Sequence, residues 1–240
     1  MINSANVVTK EKAEKMEKQF VVSIEGNIGS GKSSMLKFLE KQSQEVVTVP
    51  EPVKEWCDLN GHNLLLKLYE NPSRWSFQFQ SYIQLTRLRC LRSEFQGKNV
   101  KLLERSIQNN RFCFLELAKR EGSLTGPELS VLYSWYDFLD AELGLDLDLI
   151  VYLRADPKVS YSRMKNRGRS EEADIPIEYI EGLHSVYEDW LIYKKLGNVQ
   201  VPVLVIDANE DRETMIRKYK QHQDKVFGNQ LLKEGQVVYV

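Results

Sequence analysis

The stretch Gly26-Asn27-Ile28-Gly29-Ser30-Gly31-Lys32-Ser33 carries the plainest chemistry in this 240-residue chain. It satisfies G-x-x-x-x-G-K-[ST] without a mismatch. Glycines at these places allow backbone angles that turn several N–H groups toward one concave spot, where phosphate oxygens are natural acceptors. A helix beginning at Lys32 would aim its positive end at the same spot. Lys32 is then expected on the β- and γ-phosphates of a nucleoside triphosphate, and the Ser33 hydroxyl on Mg²⁺. Gly26, Asn27, Ile28, Gly29, Ser30, Gly31 and Ser34 complete the expected phosphate-binding set. The plainer alternative is a glycine-rich turn without a ligand. It leaves unexplained why a strand pattern precedes the motif and a helix pattern follows it. The motif speaks for nucleotide binding and is silent on reaction type. The Asn-Lys-x-Asp base-reading signature of GTPases is absent from the sequence.

A phosphoryl acceptor needs other groups. Glu51 stands between Pro50 and Pro52, and Glu104-Arg105-Ser106 follows an apolar run. A carboxylate can take a hydroxyl proton, and a fixed guanidinium can stabilise a transferring phosphoryl group. Glu51 and Arg105 read equally as that pair or as a structural ion pair closing two strands. Between Tyr161 and Asp174 lie Arg163, Lys165, Arg167 and Arg169, then Glu171 and Glu172. Arg163 and Arg167 share a helical face. The segment reads either as a lid over phosphates, closing out water, or as a solvated charged face. Aromatic residues crowd the middle of the chain, among them Trp56, Tyr69, Trp75, Phe79, Phe112 and Phe114. Trp75 and Phe112 are assigned to the core. A flat base would need aromatic walls and one amide to read its edge. Gln80 is the amide in that stretch, and its alternative is an ordinary helix-surface position.

These residues need a scaffold to bring them together. Short β-branched runs at Phe20–Ile24, Glu45–Val49, Val100–Leu103, Leu147–Leu153 and Val203–Ile206 read as strands. Helical patterns lie between them, the longest expected over Arg74–Gln96. Such alternation predicts one α/β domain, a parallel sheet with helices on both faces. Ligands of such sheets bind beyond the carboxyl ends of the strands. The chemistry should therefore follow Ile24, Val49, Leu103 and Leu153. Residues 1–18 are expected to be a flexible leader, 19–228 the domain with a lid at about 163–174, and 229–240 a tail without features.

Lys plus Arg (33) nearly balances Asp plus Glu (34), which leaves no electrostatic footprint for nucleic acid. Cys57, Cys90 and Cys113 are scattered, which argues against a disulfide framework or a zinc site. No apolar run reaches the roughly 18 residues of a membrane span. The leader mixes acids with lysines, so cytosol or nucleus is expected, and mitochondria only if a targeting segment has been removed.

Taken in order, Phe20 to Ser33, Pro50-Glu51-Pro52-Val53 with Trp56, Phe79-Gln80-Ser81-Tyr82, Glu104-Arg105-Ser106 and Arg163 to Glu172 resemble the deoxynucleoside kinases. The similarity spans about Phe20 to Phe227. The resemblance implies a five-stranded parallel sheet of P-loop NTPase type, a homodimer built on helices, ATP with Mg²⁺, and a deoxynucleoside as acceptor. It implies Glu51 as general base for the 5′-hydroxyl and Arg105 beside that hydroxyl. Glu104 would help hold Mg²⁺ through water. Gln80 would pair with the base edge, with Trp56, Phe79 and Phe114 as aromatic walls. Tyr69 and Glu172 would hold the sugar 3′-hydroxyl, and Arg163, Arg167 and Arg169 the phosphates.

Two positions depart from the thymidine-favouring members. Arg87 stands where those carry an apolar residue and Asn110 where they carry a small one. An Arg with an acid is the deoxycytidine and deoxyguanosine pattern, but here the acid is an amide, and Ile83 is larger than its usual companion. This hybrid pocket is expected to be broad, shifted from thymidine toward deoxycytidine and purines. The alternative is an Arg87 turned to solvent with no effect. Two rivals remain for the chain as a whole. A nucleoside monophosphate kinase would need more cationic groups at the acceptor. A non-catalytic subunit would leave Lys32, Ser33, Glu51 and Arg105 without a reason.

Overall fold

The computed structural model describes residues 19–93, 97–197 and 199–240; the expected leader lies outside them, as do residues 94–96, while the long helix expected to reach Gln96 ends at Arg92 with Ser93 already extended. Its strands are β1 (Phe20–Glu25), β2 (Val46–Val49), β3 (Val100–Glu104), β4 (Leu149–Arg154), β5 (Val203–Asp207) and β6 (Val237–Tyr239). Its helices are α1 (Lys32–Leu39), α2 (Val53–Cys57), α3 (Leu64–Glu70), α4 (Pro72–Arg92), α5 (Ile107–Asn109), α6 (Leu115–Arg120), α7 (Gly126–Leu143), α8 (Pro157–Arg167), α9 (Ile177–Tyr187) and α10 (Arg212–Val226). A π-helical turn, Asn110–Phe114, joins α5 to α6. Among the described residues no helix is long and apolar enough to cross a membrane.

The strands form one sheet in the order β2-β3-β1-β4-β5-β6, every pairing parallel. The connections leaving β1 and β3 run to opposite sides of the sheet, which opens a crevice above their carboxyl ends. Alternation along each strand feeds two cores. Leu149, Val151 and Leu153 of β4 and Leu204 and Ile206 of β5 pack with Met35, Leu39, Met215 and Tyr219 of α1 and α10. Ile150, Tyr152, Val203 and Val205 pack on the other face with Ile180, Leu183 and Tyr187 of α9. Full burial of each Leu, Ile or Val stabilises by roughly 1.5–3 kcal/mol, so both layers hold the sheet.

The five expected strands become six. Val237, Val238 and Tyr239, in the segment read as a featureless tail, pair in register with Val203, Leu204 and Val205. Three residues are too few to show a period of two, so nothing in the pattern separated this strand from coil. The long helix starts two residues earlier than its apolar pattern suggested. Pro72 occupies its first turn, and the Asn71 side chain accepts from the Arg74 amide, a proline and a cap at their favoured places.

Candidate active site

The glycine-rich segment turns out of β1 into α1, as its pattern requires. Gly29 has φ +83, and a Cβ there would lie 2.2 Å from the Ser160 carbonyl oxygen on α8. Gly26 has φ +143, with a Cβ position 2.7 Å from the Leu153 carbonyl oxygen. Backbone passes so close that only glycine fits at either place. Lys32 donates to the carbonyls of Gly26 at 3.0 Å and Asn27 at 2.8 Å. Burial brings its ammonium down to about 7, and the charge on Arg105 pushes the same way against the pull of Glu104, Glu51 and Glu25. Ser33 and Ser34 are exposed at the start of α1. The Ser33 hydroxyl donates to a Glu104 carboxylate oxygen at 2.7 Å. A hydroxyl and a carboxylate side by side are the hard oxygen donors that Mg²⁺ takes alongside phosphate and water, so the pair fits the ion.

Glu51 sits just past β2 and Arg105 just past β3, both above the sheet's carboxyl edge. Their side chains meet there, Arg105 Nη1 donating to Glu51 Oε2 at 2.6 Å. Arg87 of α4 donates to the other oxygen at 2.8 Å. All three side chains are buried. Burial alone would raise the Glu51 pKa, but the charges of Arg105 and Arg87 outweigh it and hold the carboxyl below its ordinary range. Burial likewise opposes the Arg105 charge, and Glu51 more than restores it. Arg105 adopts φ 61, a left-handed conformation that costs a non-glycine residue about 1–2 kcal/mol. Its contacts hold it there. Nε donates to the Tyr187 hydroxyl at 3.1 Å, and Nη2 to the Gly26 carbonyl at 3.1 Å. That carbonyl also accepts from Lys32, so one backbone oxygen joins the phosphate cradle to the acceptor carboxylate.

Three supports of this arrangement escaped the sequence reading. Glu25, fully buried at the end of β1, accepts from the Ser106 amide at 2.9 Å and hydroxyl at 2.8 Å. It thereby fixes the turn that carries Arg105. Its signal was available, since Ser23 and Glu25 put two polar groups on one face of a buried strand. Asn109 accepts from Arg87 at 2.9 Å and donates to Tyr187 at 2.9 Å. Ser106 caps α5, accepting from the Asn109 amide, and a serine ahead of a helix is a readable signal. Tyr187 gave none.

A cavity of about 310 Å³ opens beside this network, lined by Leu68, Tyr69, Gln80, Phe114 and Tyr179 among others. Its size is at the low end for small-molecule sites. Arg87 and Arg105 lie over the Phe114 ring at 5.7 and 5.2 Å. The Tyr69 hydroxyl is pushed well above its usual range by burial, and Glu172 adds to this. Trp56, Phe79 and Ile83 do not line the cavity. They are buried in the adjoining cluster of α2, α3 and α4, where the Trp56 and Phe79 rings meet edge to face at 5.8 Å and Trp56 Nε1 donates to Thr86. Asn110 is fully buried and donates to Gln80 Oε1 at 2.6 Å.

The segment read as lid comprises the end of α8, Gly168 in the left-handed region and a short 3₁₀ turn at Ser170–Glu172. Arg167 and Arg169 both donate to the buried Glu172 carboxylate. Arg163 points elsewhere, to the carbonyls of Ala208, Asn209 and Glu210. Asn63, the cap of α3, donates to Glu171 at 2.9 Å, tying the lid turn to the helix that carries Tyr69.

The sequence profile described as deoxynucleoside kinase matches residues 22–232. The chain is 39% identical over 217 residues to mitochondrial thymidine kinase 2 of Homo sapiens, across 90% of this chain and 81% of that relative. It is 36% identical over 232 residues to deoxycytidine kinase of Mus musculus, across 83% of this chain and 89% of that relative. Deoxycytidine kinase 1 of Xenopus laevis is also 36% identical, over 235 residues. With the P-loop, the strand-end carboxylate and arginine, and the profile all in one order along one domain, the chain belongs to the deoxynucleoside kinase family.

Proposed function

We propose that this chain moves the γ-phosphoryl group of ATP onto the 5′-hydroxyl of deoxynucleosides, with a broad choice of base shifted from thymidine toward deoxycytidine and purines. The observation that carries this reading is the buried Glu51 carboxylate, held by Arg105 and Arg87 and joined to the P-loop through the Gly26 carbonyl. An acceptor phosphate would be repelled by Glu51, whereas a neutral hydroxyl is suited to it.

The P-loop amides, Lys32 and the lid arginines grip the donor phosphates, and Ser33 and Glu104 are the residues that would hold Mg²⁺. When bound, the ion would supply neutralisation of phosphate charge. Arg167 and Arg169 reach the phosphates by leaving Glu172, and Arg163 joins them only by leaving the carbonyls of residues 208–210. The 5′-oxygen forms a bond to the γ-phosphorus as the bridging bond to the β-phosphate breaks, releasing ADP. Glu51 takes the hydroxyl proton late, once bond formation has made it acidic. Arg105 steadies the charge on the transferring group. Tyr69 and Glu172 hold the 3′-hydroxyl, and their packing leaves little room for a 2′-hydroxyl. Phe114 and Tyr69 flank the base, with Trp56, Phe79 and Ile83 setting the depth of the site from behind. Arg87, fixed over Phe114, narrows the space a 5-methyl group would take. A homodimer is supported by the apolar groups that α7 leaves exposed, Val131, Trp135 and Phe138.

ATP-dependent phosphorylation of deoxycytidine, thymidine, deoxyadenosine and deoxyguanosine, each measured separately, tests the reading. Turnover of at least one, with deoxycytidine above thymidine and with uridine far below deoxyuridine, is expected. A folded chain that binds ATP and turns over none of them would overturn it.

A further inference from the structure

β6 lies past residue 232, where the family profile ends, so no role comes to it from the family. Its place in the sheet gives it one. It runs parallel to β5, the Val203 amide donating to the Gln236 carbonyl at 2.8 Å and the Val240 amide to the Val205 carbonyl at 3.0 Å. Gly235, just ahead of the strand, is held through both its groups. Its amide donates to the Gln200 carbonyl at 2.5 Å, and Lys194 Nζ donates to its carbonyl at 2.6 Å. Val238 and Val240 pack on the core layer that contains Ile206 and Ala208. The strand therefore buttresses the end of β5 and the first residue beyond it.

The turn after β5 is what restrains Arg163. The Asp207 carboxylate accepts from the Asn209 amide at 3.1 Å. The Ala208 amide donates to the Arg154 carbonyl at 2.9 Å, and Asn209 Oδ1 accepts from the Asp156 amide at 2.7 Å. The carbonyls of Ala208, Asn209 and Glu210 then converge on the Arg163 guanidinium at 2.6, 3.3 and 2.5 Å. Three backbone acceptors held toward one point need an ordered turn, and order costs conformational entropy. Packing against β6 offsets that cost. Arg163 rests close to the phosphate cradle. Its charge acts on Tyr219, whose hydroxyl lies 3.4 Å from where a Gly31 Cβ would be.

We infer that β6 is a strap that keeps Arg163 on the turn after β5 and so weakens the grip on ATP. The inference rests on the phosphate-binding role proposed for Arg163 and adds to it a restraint built into the sheet. Donor phosphates gain Arg163 only in competition with its three carbonyls. A ligand binds less tightly when the state that accepts it must first be released. Without β6, β5 becomes the edge of the sheet, and its Val203 amide and Val205 carbonyl return to water. The turn loosens, and Arg163 leaves it more easily.

The test is the affinity for ATP with Mg²⁺, by calorimetry, of four proteins: the wild type, a chain shortened to end at Lys233, Arg163→Ala, and the two changes combined. Thermal unfolding establishes that each is folded. Shortening the chain should tighten ATP binding by about fivefold or more. General damage to the donor side would weaken binding, so the sign separates release of a restraint from loss of structure. With Arg163→Ala already in place, the same shortening should change ATP affinity by no more than about twofold, since the two changes act through one residue. Where the shortened chain fails to fold, Val238→Gly, which keeps the full length, takes its place with the same expectations. Unchanged or weaker ATP binding would overturn the inference, and so would equal tightening with and without Arg163. Failure of the kinase reading looks different: ATP still binds and still responds to the loss of β6, but no deoxynucleoside is turned over. A wild type that binds no ATP would refute both.

Discussion

The donor and acceptor halves of this site are built from different materials. The phosphate cradle is made of backbone from one continuous segment, and glycine is required because other backbone comes within 2.2 Å of where a Cβ would be. The acceptor side is made of side chains from α4, the ends of β2 and β3, the π-turn and α9, and is held by charge. Its carboxylate is buried with two guanidiniums, an arrangement whose desolvation cost is offset only while every partner is present. A backbone site tolerates almost no change in shape but many changes nearby. A charge network tolerates changes of shape but not the loss of one member.

Three substitutions sharpen this contrast, in falling order of effect. Glu51→Gln should lower kcat by about 10²–10⁴-fold through loss of the base, and cost up to about 3–5 kcal/mol by leaving buried guanidiniums underpaired. The stability loss has a pH signature. Glu51 is held below its ordinary value of 4.5, so its ionised form contributes fully above about pH 4.5 and is lost as pH falls through the depressed folded value. Urea midpoints of the two proteins should be well separated at pH 7 and converge below pH 4.5; parallel curves would refute the charge account. Gly29→Ala should weaken ATP binding more than tenfold in calorimetry, while Glu51→Gln binds ATP nearly as the wild type does. If the alanine variant keeps its ATP affinity, the cradle is not set by backbone approach. Tyr69→Phe should be mildest, raising the deoxynucleoside KM by up to roughly tenfold, about the worth of one hydrogen bond, with kcat nearly unchanged in the same steady-state assay.

The same division explains what could be read from sequence. The cradle was legible because its residues are consecutive and their spacing is dictated by phosphate geometry. Glu51 and Arg105 were legible as positions, since strands ending at Val49 and Glu104 put them on the ligand edge. Their mutual contact was one of the two readings the residues allowed, but its third member, Arg87, was not foreseen, because α4 brings it in from 36 residues away in the chain. The π-turn carrying Asn110 and Phe114 left no trace in a pattern of apolar spacing, as its wider turn has no composition of its own. Trp56 and Phe79 were expected as walls through the family resemblance, and aromaticity by itself does not tell a ring facing a cavity from a ring filling a core. The sixth strand was too short for its alternation to register.

The clamp on Glu172 has a further consequence for how the two substrates influence one another. In the structure Arg167 and Arg169 are both spent on this carboxylate. Under the proposed roles, donor phosphates compete for the arginines, and the sugar hydroxyl competes for the carboxylate. Each ligand then removes part of the cost of admitting the other. Binding should be mutually reinforcing by the same factor in both directions, as a closed thermodynamic cycle requires. An enzyme built this way holds its nucleoside firmly only when a phosphate donor is already in place.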